Sequence, residues 1–298
     1  MSTSVEHARL MRLATRASLV VASTLIVAKG IAWWLSGSVS LLAGLTDSAL
    51  DGAASFLNLL AVHYALRPAD DDHRYGHGKA EALSGMAQAL FIAASALLIA
   101  YQAIDRIQHP TPLGAPGLGI AVMVLSIVLT VALLMLQHKV IKETGSAAIR
   151  ADSLHYRSDL LLNASILVAL TLALFGWEQL DAYFGLAISA YILWSAISIA
   201  RETVAVLMDE ELPVDVSARM LELACGVTGV LGAHDLRTRV SGNHWFVQLH
   251  LELPGALTLS AAHVICEDVA DAIEKDYPKA EVLVHADPQE VVKQAAIN

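Results

Sequence analysis

Two pairs of metal-binding side chains lie within apolar stretches of the sequence. Asp47 and Asp51 are four residues apart, and His155 and Asp159 have the same spacing. Residues at positions i and i+4 share one face of a helix, so each pair presents two ligands at one point. Imidazole nitrogen and carboxylate oxygen are ligands of tetrahedral divalent ions such as Zn²⁺. The spacing therefore predicts a four-ligand cation site built from two helices.

Ionisable pairs inside a membrane span are energetically unfavourable. A charged side chain at the centre of a bilayer costs about 2.5–3.5 kcal/mol on insertion scales, so we expect the pairs to serve a function. The alternatives are an intramembrane hydrogen-bond network, or polar residues at wet helix ends. Asp and neutral His bind a cation only when deprotonated, so metal ions and protons compete for them. A site that binds either ion is what an antiporter requires.

Other polar residues in the apolar segments are assigned lesser roles. Lys29 stands alone in the first segment, where its long stem allows it to snorkel or to pair, so we expect a structural role. Asn58, Asp152 and Asn163 are expected around the predicted site or at its boundary rather than as ligands.

The elements that must hold these ligands are long apolar segments. The 298 residues are 56% hydrophobic and 16% charged, whereas soluble domains have about 25% charged residues. A membrane span needs about 20 mostly apolar residues. Six windows qualify: 14–35, 39–64, 81–106, 114–137, 153–175 and 179–204. We expect an all-α membrane domain of six transmembrane helices over residues 1–207.

Basic residues are concentrated on one side of the predicted spans. The opposite loops hold Arg106 and little else that is basic. Because cytoplasmic loops carry the excess of Lys and Arg, both termini are expected in the cytoplasm. The net charge of −10, without a basic patch, argues against nucleic acid. The residues that set the orientation are Arg9, Arg12, Arg16, Arg67, Arg74, Lys79, Lys139, Lys142, Arg150, Arg157 and Arg201.

The loop after the second predicted span is rich in possible ligands. In RPADDDHRYGHGKAEAL, the residues Asp70, His73 and His77 could converge on one metal ion at the cytoplasmic mouth. Glycines at 76 and 78 allow the tight turn that this requires. The alternative is a solvated acidic loop.

After Met208 the sequence changes to short mixed segments. The pattern predicts helix, strand, strand, helix and strand over residues 208–298, a cytoplasmic α/β domain of the ferredoxin-like, metallochaperone-like type. We expect a hairpin turn at 241–243 and a helix capped by Ser260. Side chains at the ends of these elements could form a two-metal cluster bridged by Asp287, ordinary surface histidines being the alternative. They are His234, His250, His263, His285 and Asp287.

Four motifs resemble the cation diffusion facilitators, and especially their bacterial ferrous-iron/zinc efflux branch. They are LTDSALD, DHRYGHGKAE, ADSLHYRSD and GAHDLRTR, and the resemblance covers nearly the full length. It implies that the two helical pairs form the transport site, and that the loop and cytoplasmic groups are the family's other metal sites. It also implies a salt bridge between Lys79 and Asp209 and a hydrophobic gate at Leu154.

The same resemblance implies a function and partners. It implies proton-driven export of Zn²⁺ from cytoplasm to periplasm, with Cd²⁺ and Fe²⁺ as further candidate cargoes and Zn²⁺ also in structural sites. Asp47 implies a broader cation range than a histidine there would. The implied assembly is a homodimer in the bacterial inner membrane, with cytoplasmic domains packed across the two-fold axis.

Two other classes of protein are weighed against this interpretation. An intramembrane metalloenzyme keeps an open coordination position, whereas four protein ligands fill the predicted site, and no hydrolytic motif occurs. We therefore expect no enzyme. A membrane-tethered metal sensor would need only the C-terminal domain, so the intramembrane ligands disfavour it. The sequence contains no phosphate-binding G-x-x-x-x-G-K-[ST] motif, and no nucleotide is expected.

Overall fold

Six long helices form the N-terminal part of the chain. The structure, a computed structural model, describes residues 2–36, 39–108, 117–173 and 180–295. The chain divides into two compact units, Met1–Val204 and Ala205–Asn298, each described here by itself. The six helices are α1 Ser2–Ser36, α2 Val39–Ala65, α3 Lys79–Gln108, α4 Gly117–Thr144, α5 Ala147–Ala173 and α6 Leu180–Leu207.

Each predicted span falls on one of these helices. Residues 114–116, 174–175 and 179, at the edges of three predicted spans, lie outside the described residues. Among the described residues, four helices contain segments long and apolar enough to cross a membrane: Glu6–Leu35, Lys79–Asp105, Ile120–Thr144 and Tyr183–Leu207. The other two helices, α2 and α5, are 27 residues long and carry the ionisable pairs. The charged ligands thus lie on the helices outside this apolar set.

Small and branched apolar side chains pack the helices together. Leu154 of α5 is buried in a cluster with residues of α3 and α6, among them Ile92 and Ile192. Large apolar side chains such as Trp34 and Trp194 are exposed instead. Outward apolar side chains are what a lipid environment requires, because lipid tails are as apolar as the side chains.

One buried carboxylate connects four helices. Asp152 of α5 is fully buried and accepts hydrogen bonds from Ser18 of α1 at 2.6 Å, Gln88 of α3 at 3.0 Å and Gln137 of α4 at 2.7 Å. We call these four residues the Asp152 cluster. Buried polar groups need such partners, and a carboxylate that accepts hydrogen bonds from three neighbouring helices fixes how α5 is rotated against them. Asp152 therefore orients the helix that carries two predicted ligands.

The second unit has the order helix, strand, strand, helix, strand, helix. Its elements are α7 Val214–Cys225, β1 Gly232–Ser241, β2 His244–Leu253, α8 Leu259–Asp276, β3 Ala280–Pro288 and α9 Gln289–Ala295. The sheet order is β1-β2-β3, with β2 antiparallel to β1 and parallel to β3. Apolar residues of β2, including Leu249 and Leu251, pack with Val269 and Ile273 of α8 in the core.

The hairpin turn of the second unit lies where the sequence predicts it, but the N-terminal cap of α8 does not. β1 and β2 join through Gly242 and Asn243, as predicted, and Gly242 has the positive φ of 58° that such a two-residue turn demands. The predicted cap of α8 is wrong, because Thr258 precedes the helix and accepts from the Ala261 N–H at 3.2 Å. Ser260 is instead the second residue of α8.

Candidate metal centres

The predicted transport ligands come from facing positions of α2 and α5. His155 Nε2 lies 2.9 Å from Asp51 Oδ1 and 3.7 Å from Asp159 Oδ2. One ligand atom from each of these residues lies within 4.8 Å of the others. Although Nε2 is buried and close to Asp51, no hydrogen bond of proper geometry reaches it. A buried nitrogen between two carboxylates is chemically suited to a divalent cation.

Asp47 is the fourth predicted ligand of this site. It lies one helical turn before Asp51 and lines the same cavity of about 450 Å³. Asp47 does not belong to the group within 4.8 Å formed by Asp51, His155 and Asp159. The structure thus brings three predicted ligands together and leaves the fourth on the cavity wall.

The loop ligands also converge. Asp70 Oδ2 lies 3.2 Å from His77 Nε2, and Asp70 Oδ1 lies 3.1 Å from His73 Nδ1. His77 is buried, with its ring edge-on to Tyr64, and its Nδ1 has no hydrogen-bond partner. A hydrogen bond from the His73 backbone N–H lowers the pKa of the exposed Asp70 carboxyl. An ionised carboxylate beside two imidazoles is a competent donor set for Zn²⁺.

We expect Asp70→Asn to weaken metal binding in the loop at least about tenfold, the lower bound for losing even an indirect partner of a metal ligand. The amide oxygen can still accept the backbone N–H bonds, so the turn should survive while the anionic ligand is lost. Cd²⁺ titration of the full-length protein, followed through the ring signals of His73 and His77, measures this. Unchanged binding in Asp70→Asn would remove Asp70 from the ligand set.

The strand histidines are brought together by the register of the sheet. His234 of β1 pairs with His250 of β2, which pairs with His285 of β3. Directly opposite residues on neighbouring strands place their side chains on the same face. The three imidazoles therefore form a row across the sheet, with Asp287 two residues after His285.

Asp287 contacts this row through both carboxylate oxygens. Its Oδ2 lies 2.8 Å from His250 Nδ1 and 3.5 Å from His234 Nε2, and its Oδ1 lies 3.2 Å from His285 Nε2. Ligand atoms of His234, His250 and Asp287 lie within 4.8 Å of one another. One oxygen facing two imidazoles and the other facing a third is an arrangement that suits a bridging carboxylate. We call His234, His250, His285 and Asp287 the sheet site.

His263 is not brought to the sheet site in this chain. It is exposed on α8, with Nδ1 3.9 Å from Glu267 Oε1. Two residues that sequence reasoning missed lie nearer: Glu252 Oε1 is 3.5 Å from His234 Nδ1, and Asp235 Oδ2 is 3.8 Å from His250 Nε2. Glu252 follows His250 by two positions, so strand alternation was a usable signal for it.

Asp235 had no comparable signal. It lies at a register shift between β1 and β2, with a φ of 46°. Hydrogen bonds from Arg237 to both its oxygens, each 3.1 Å, lower the pKa of the Asp235 carboxyl. Asp235 is therefore an ionised carboxylate at the rim of the sheet site.

Lys79, Asp209 and Leu154 are the residues of the predicted salt bridge and gate. Asp209 lies in the second unit, where its Oδ2 is 3.7 Å from Arg239, and Lys79 begins α3 in the first. The Lys79–Asp209 bridge between the units therefore stays a prediction. Leu154 directly precedes His155 and is buried against α3 and α6, a position compatible with a gate.

Comparison with known proteins is consistent across both units. Residues 15–208 match the model of the cation efflux transmembrane domain, and residues 212–289 match that of the cation efflux protein cytoplasmic domain. A helical membrane domain with an ionisable cavity, followed by a small α/β domain with its own group of candidate metal ligands, is the arrangement of a membrane transporter of metal cations. The chain belongs to the cation-efflux family, and the resemblance and the fold class predicted from its sequence are confirmed.

Two curated relatives match over almost their whole length. The chain is 46% identical over 286 residues to the cation-efflux pump FieF of Citrobacter koseri, covering 96% of this chain and 95% of the relative. It is 46% identical over 287 residues to FieF of Yersinia enterocolitica, covering 96% of each. A solved structure of the putative zinc transporter CzrB (Zn form) is 28% identical, with a TM-score of 0.26, over 28% of this chain and 96% of that one.

Proposed function

We propose that the chain is a divalent metal cation/proton antiporter that exports Zn²⁺ from the cytoplasm to the periplasm. Cd²⁺ and Fe²⁺ are further candidate cargoes. The observation that carries the proposal is the group of Asp51, His155 and Asp159, whose ligand atoms lie within 4.8 Å of one another in a cavity among the membrane helices. The FieF relatives, named as cation-efflux pumps, support the direction of transport.

Coupling to protons follows from the chemistry of the ligands. Asp51 and Asp159 bind the cation as carboxylates and His155 binds it through a deprotonated ring nitrogen, with Asp47 as the fourth ligand. Because protonation removes each of these ligands, uptake of protons from the periplasm releases the metal. Deprotonation toward the cytoplasm restores the ligands, so the proton gradient supplies the work of export.

Alternating exposure requires movement of the helices that carry the ligands. All four residues lie on α2 and α5, so rocking of this pair against α3 and α6 would open the cavity first to one side and then to the other. Leu154 sits at the contact of α5 with α3 and α6, and we assign it the role of the apolar gate. The ligands and the gate would then respond to the same motion.

The N and O donors suit Zn²⁺, and Fe²⁺ shares them. An oxygen-rich set with three carboxylates also accommodates more than one divalent ion. We therefore propose Zn²⁺ as the principal cargo and expect its competitors to be set by metal availability.

Resident Zn²⁺ is proposed for the two other groups. Asp70, His73 and His77 would hold one ion, and the sheet site would hold two. His263, exposed on α8 in this structure, is the further predicted ligand of the sheet site. The Nδ1 atoms of His77 and His234, which are buried and make no hydrogen bond, fit this proposal. A bound ion would supply structural cross-links, which at the sheet site tie β1, β2 and β3 together.

The proposed assembly is a homodimer in the bacterial inner membrane, with both termini in the cytoplasm. The basic residues on one side of the helices support this orientation. The match to the family's cytoplasmic domain supports association of two copies through the second unit. The salt bridge from Lys79 to Asp209 would then connect the transport helices to that unit.

Metal uptake into sealed proteoliposomes tests the function directly. With an acidic lumen and Zn²⁺, Cd²⁺ or Fe²⁺ outside under anaerobic conditions, we expect uptake that rises with the pH gradient and stops when the gradient is dissipated. Gradient-independent uptake would replace the antiporter with a facilitator. Metal binding without any flux would favour the membrane-tethered sensor.

A further inference from the structure

Lys29 lies in the transport cavity. Its Nζ donates to Ser48 Oγ at 2.7 Å and to the Gly44 carbonyl at 3.1 Å, both on α2. The cavity wall includes Lys29 together with Asp47, Asp51 and the two ligands of α5. The ammonium is therefore bound within the helix bundle, whereas the sequence left snorkelling to a membrane surface open.

The contacts of Lys29 place its charge beside the ligand pair of α2. Ser48 directly follows Asp47, and Gly44 lies one turn before Ser48 on the same helix. Among the described residues that line the cavity, Lys29 is the only lysine or arginine. The fixed positive charge of the cavity thus comes from one side chain, held by two hydrogen bonds.

The charges of the loaded cavity balance only when Lys29 is counted. Three carboxylates, a neutral imidazole and a divalent cation together carry one negative charge. The ammonium cancels it, so the metal-loaded site is electroneutral. Two protons in place of the metal leave the same balance, and a net charge inside a membrane protein is costly.

We propose that Lys29 is the built-in counter-cation of the transport site. This inference rests on the proposed transport function. The ammonium repels the bound metal ion and weakens equilibrium binding, and it neutralises the loaded site so that the site can be exposed to the other side of the membrane. Lys29 thereby lowers the affinity for the metal ion and raises the rate of transport.

Removing the charge should move affinity and turnover in opposite directions. For Lys29→Met we expect about tenfold tighter Cd²⁺ binding, because a unit repulsion in a partly shielded interior is lost. Maximal flux should fall at least about fivefold, because the loaded site keeps a net negative charge while it moves. If Lys29 only supported the structure, Lys29→Met would lower both the affinity for Cd²⁺ and the maximal flux.

The measurement combines Cd²⁺ calorimetry of the full-length protein in detergent with Cd²⁺ flux in proteoliposomes. Binding at the cavity is the part that disappears in Asp51→Asn. Lys29→Arg keeps the charge and should behave as wild type. Lys29→Gln is a second neutral variant that keeps a polar side chain at this position, so it should follow Lys29→Met and guards against a folding defect in the latter.

Each outcome decides a separate question. Neutral variants with wild-type affinity, or with weaker binding and lower flux together, would overturn the counter-cation role. Absence of gradient-driven flux in the wild-type protein would instead overturn the proposed function. Tighter binding with slower flux in both neutral variants, and neither change in Lys29→Arg, is the result that we expect.

Discussion

Replacing Asp51 by asparagine is expected to lower gradient-driven metal flux at least about a hundredfold, since even indirect partners of metal ligands are worth about 10–100-fold. Asp51 supplies the oxygen nearest to His155 Nε2, at 2.9 Å. The amide keeps the shape of the side chain and removes the charge that both metal and proton require. Flux of Zn²⁺ into proteoliposomes with an acidic lumen measures the loss.

Asp71→Asn is the matched control for this change. Asp71 is an exposed loop carboxylate, paired with Arg74 at 3.1 Å and 94% exposed at its side chain, and does not line the cavity. The substitution alters the net charge of the protein by the same amount, so flux should stay at the wild-type level. If Asp51→Asn retained flux within about threefold of this control, Asp51 would not be a transport ligand.

Helix and strand periodicity made most of the candidate ligands predictable. The spacing between His155 and Asp159 needs only helical geometry to bring the two side chains to one face. His250 and Glu252 share a face by strand alternation, although only His250 was selected from the sequence. Local geometry of this kind depends on the residues of a single element, which is why one sequence suffices for it.

Contacts between elements were not predictable in the same way. Lys29 reaches Ser48 because α1 lies against α2. The sequence of α1 alone does not indicate which groups the ammonium contacts. Asp235 approaches His250 only because β1 changes register there. The cap of α8 was missed because Thr258 and Ser260 offer the same hydroxyl chemistry two positions apart, and only the backbone at the helix start selects Thr258.

Asp152 is the strongest case of an interhelical role hidden from the sequence. Its three hydrogen-bond partners are 134, 64 and 15 residues away along the chain. From the sequence, an acidic residue one turn before His155 is equally compatible with a position at the boundary of the metal site. The packing of α1, α3 and α4 around α5 instead makes it the common acceptor of the Asp152 cluster.

Asp152→Ala is therefore expected to destabilise the helical unit by about 2 kcal/mol or more. It leaves the Gln88 amide buried without its acceptor, and such a group costs about 1–3 kcal/mol. Ser18 and Gln137 lose their strongest acceptor but keep the Ala14 carbonyl and Ser18 Oγ, respectively, as partners. For a unit of this size, that loss corresponds to a fall of about 4–8 °C in the unfolding temperature. Thermal unfolding of the full-length protein in detergent measures the shift.

Ser153→Ala provides the neighbouring control. Ser153 is buried, and its hydroxyl has no hydrogen-bond partner, so removing the hydroxyl should leave the unfolding temperature unchanged or raise it. Equal unfolding temperatures for Asp152→Ala and Ser153→Ala would show that the Asp152 cluster contributes nothing to stability. With the expected difference, the hydrogen bonds of Asp152 fix the rotation of α5, and His155 and Asp159 face α2 because Asp152 faces α1, α3 and α4.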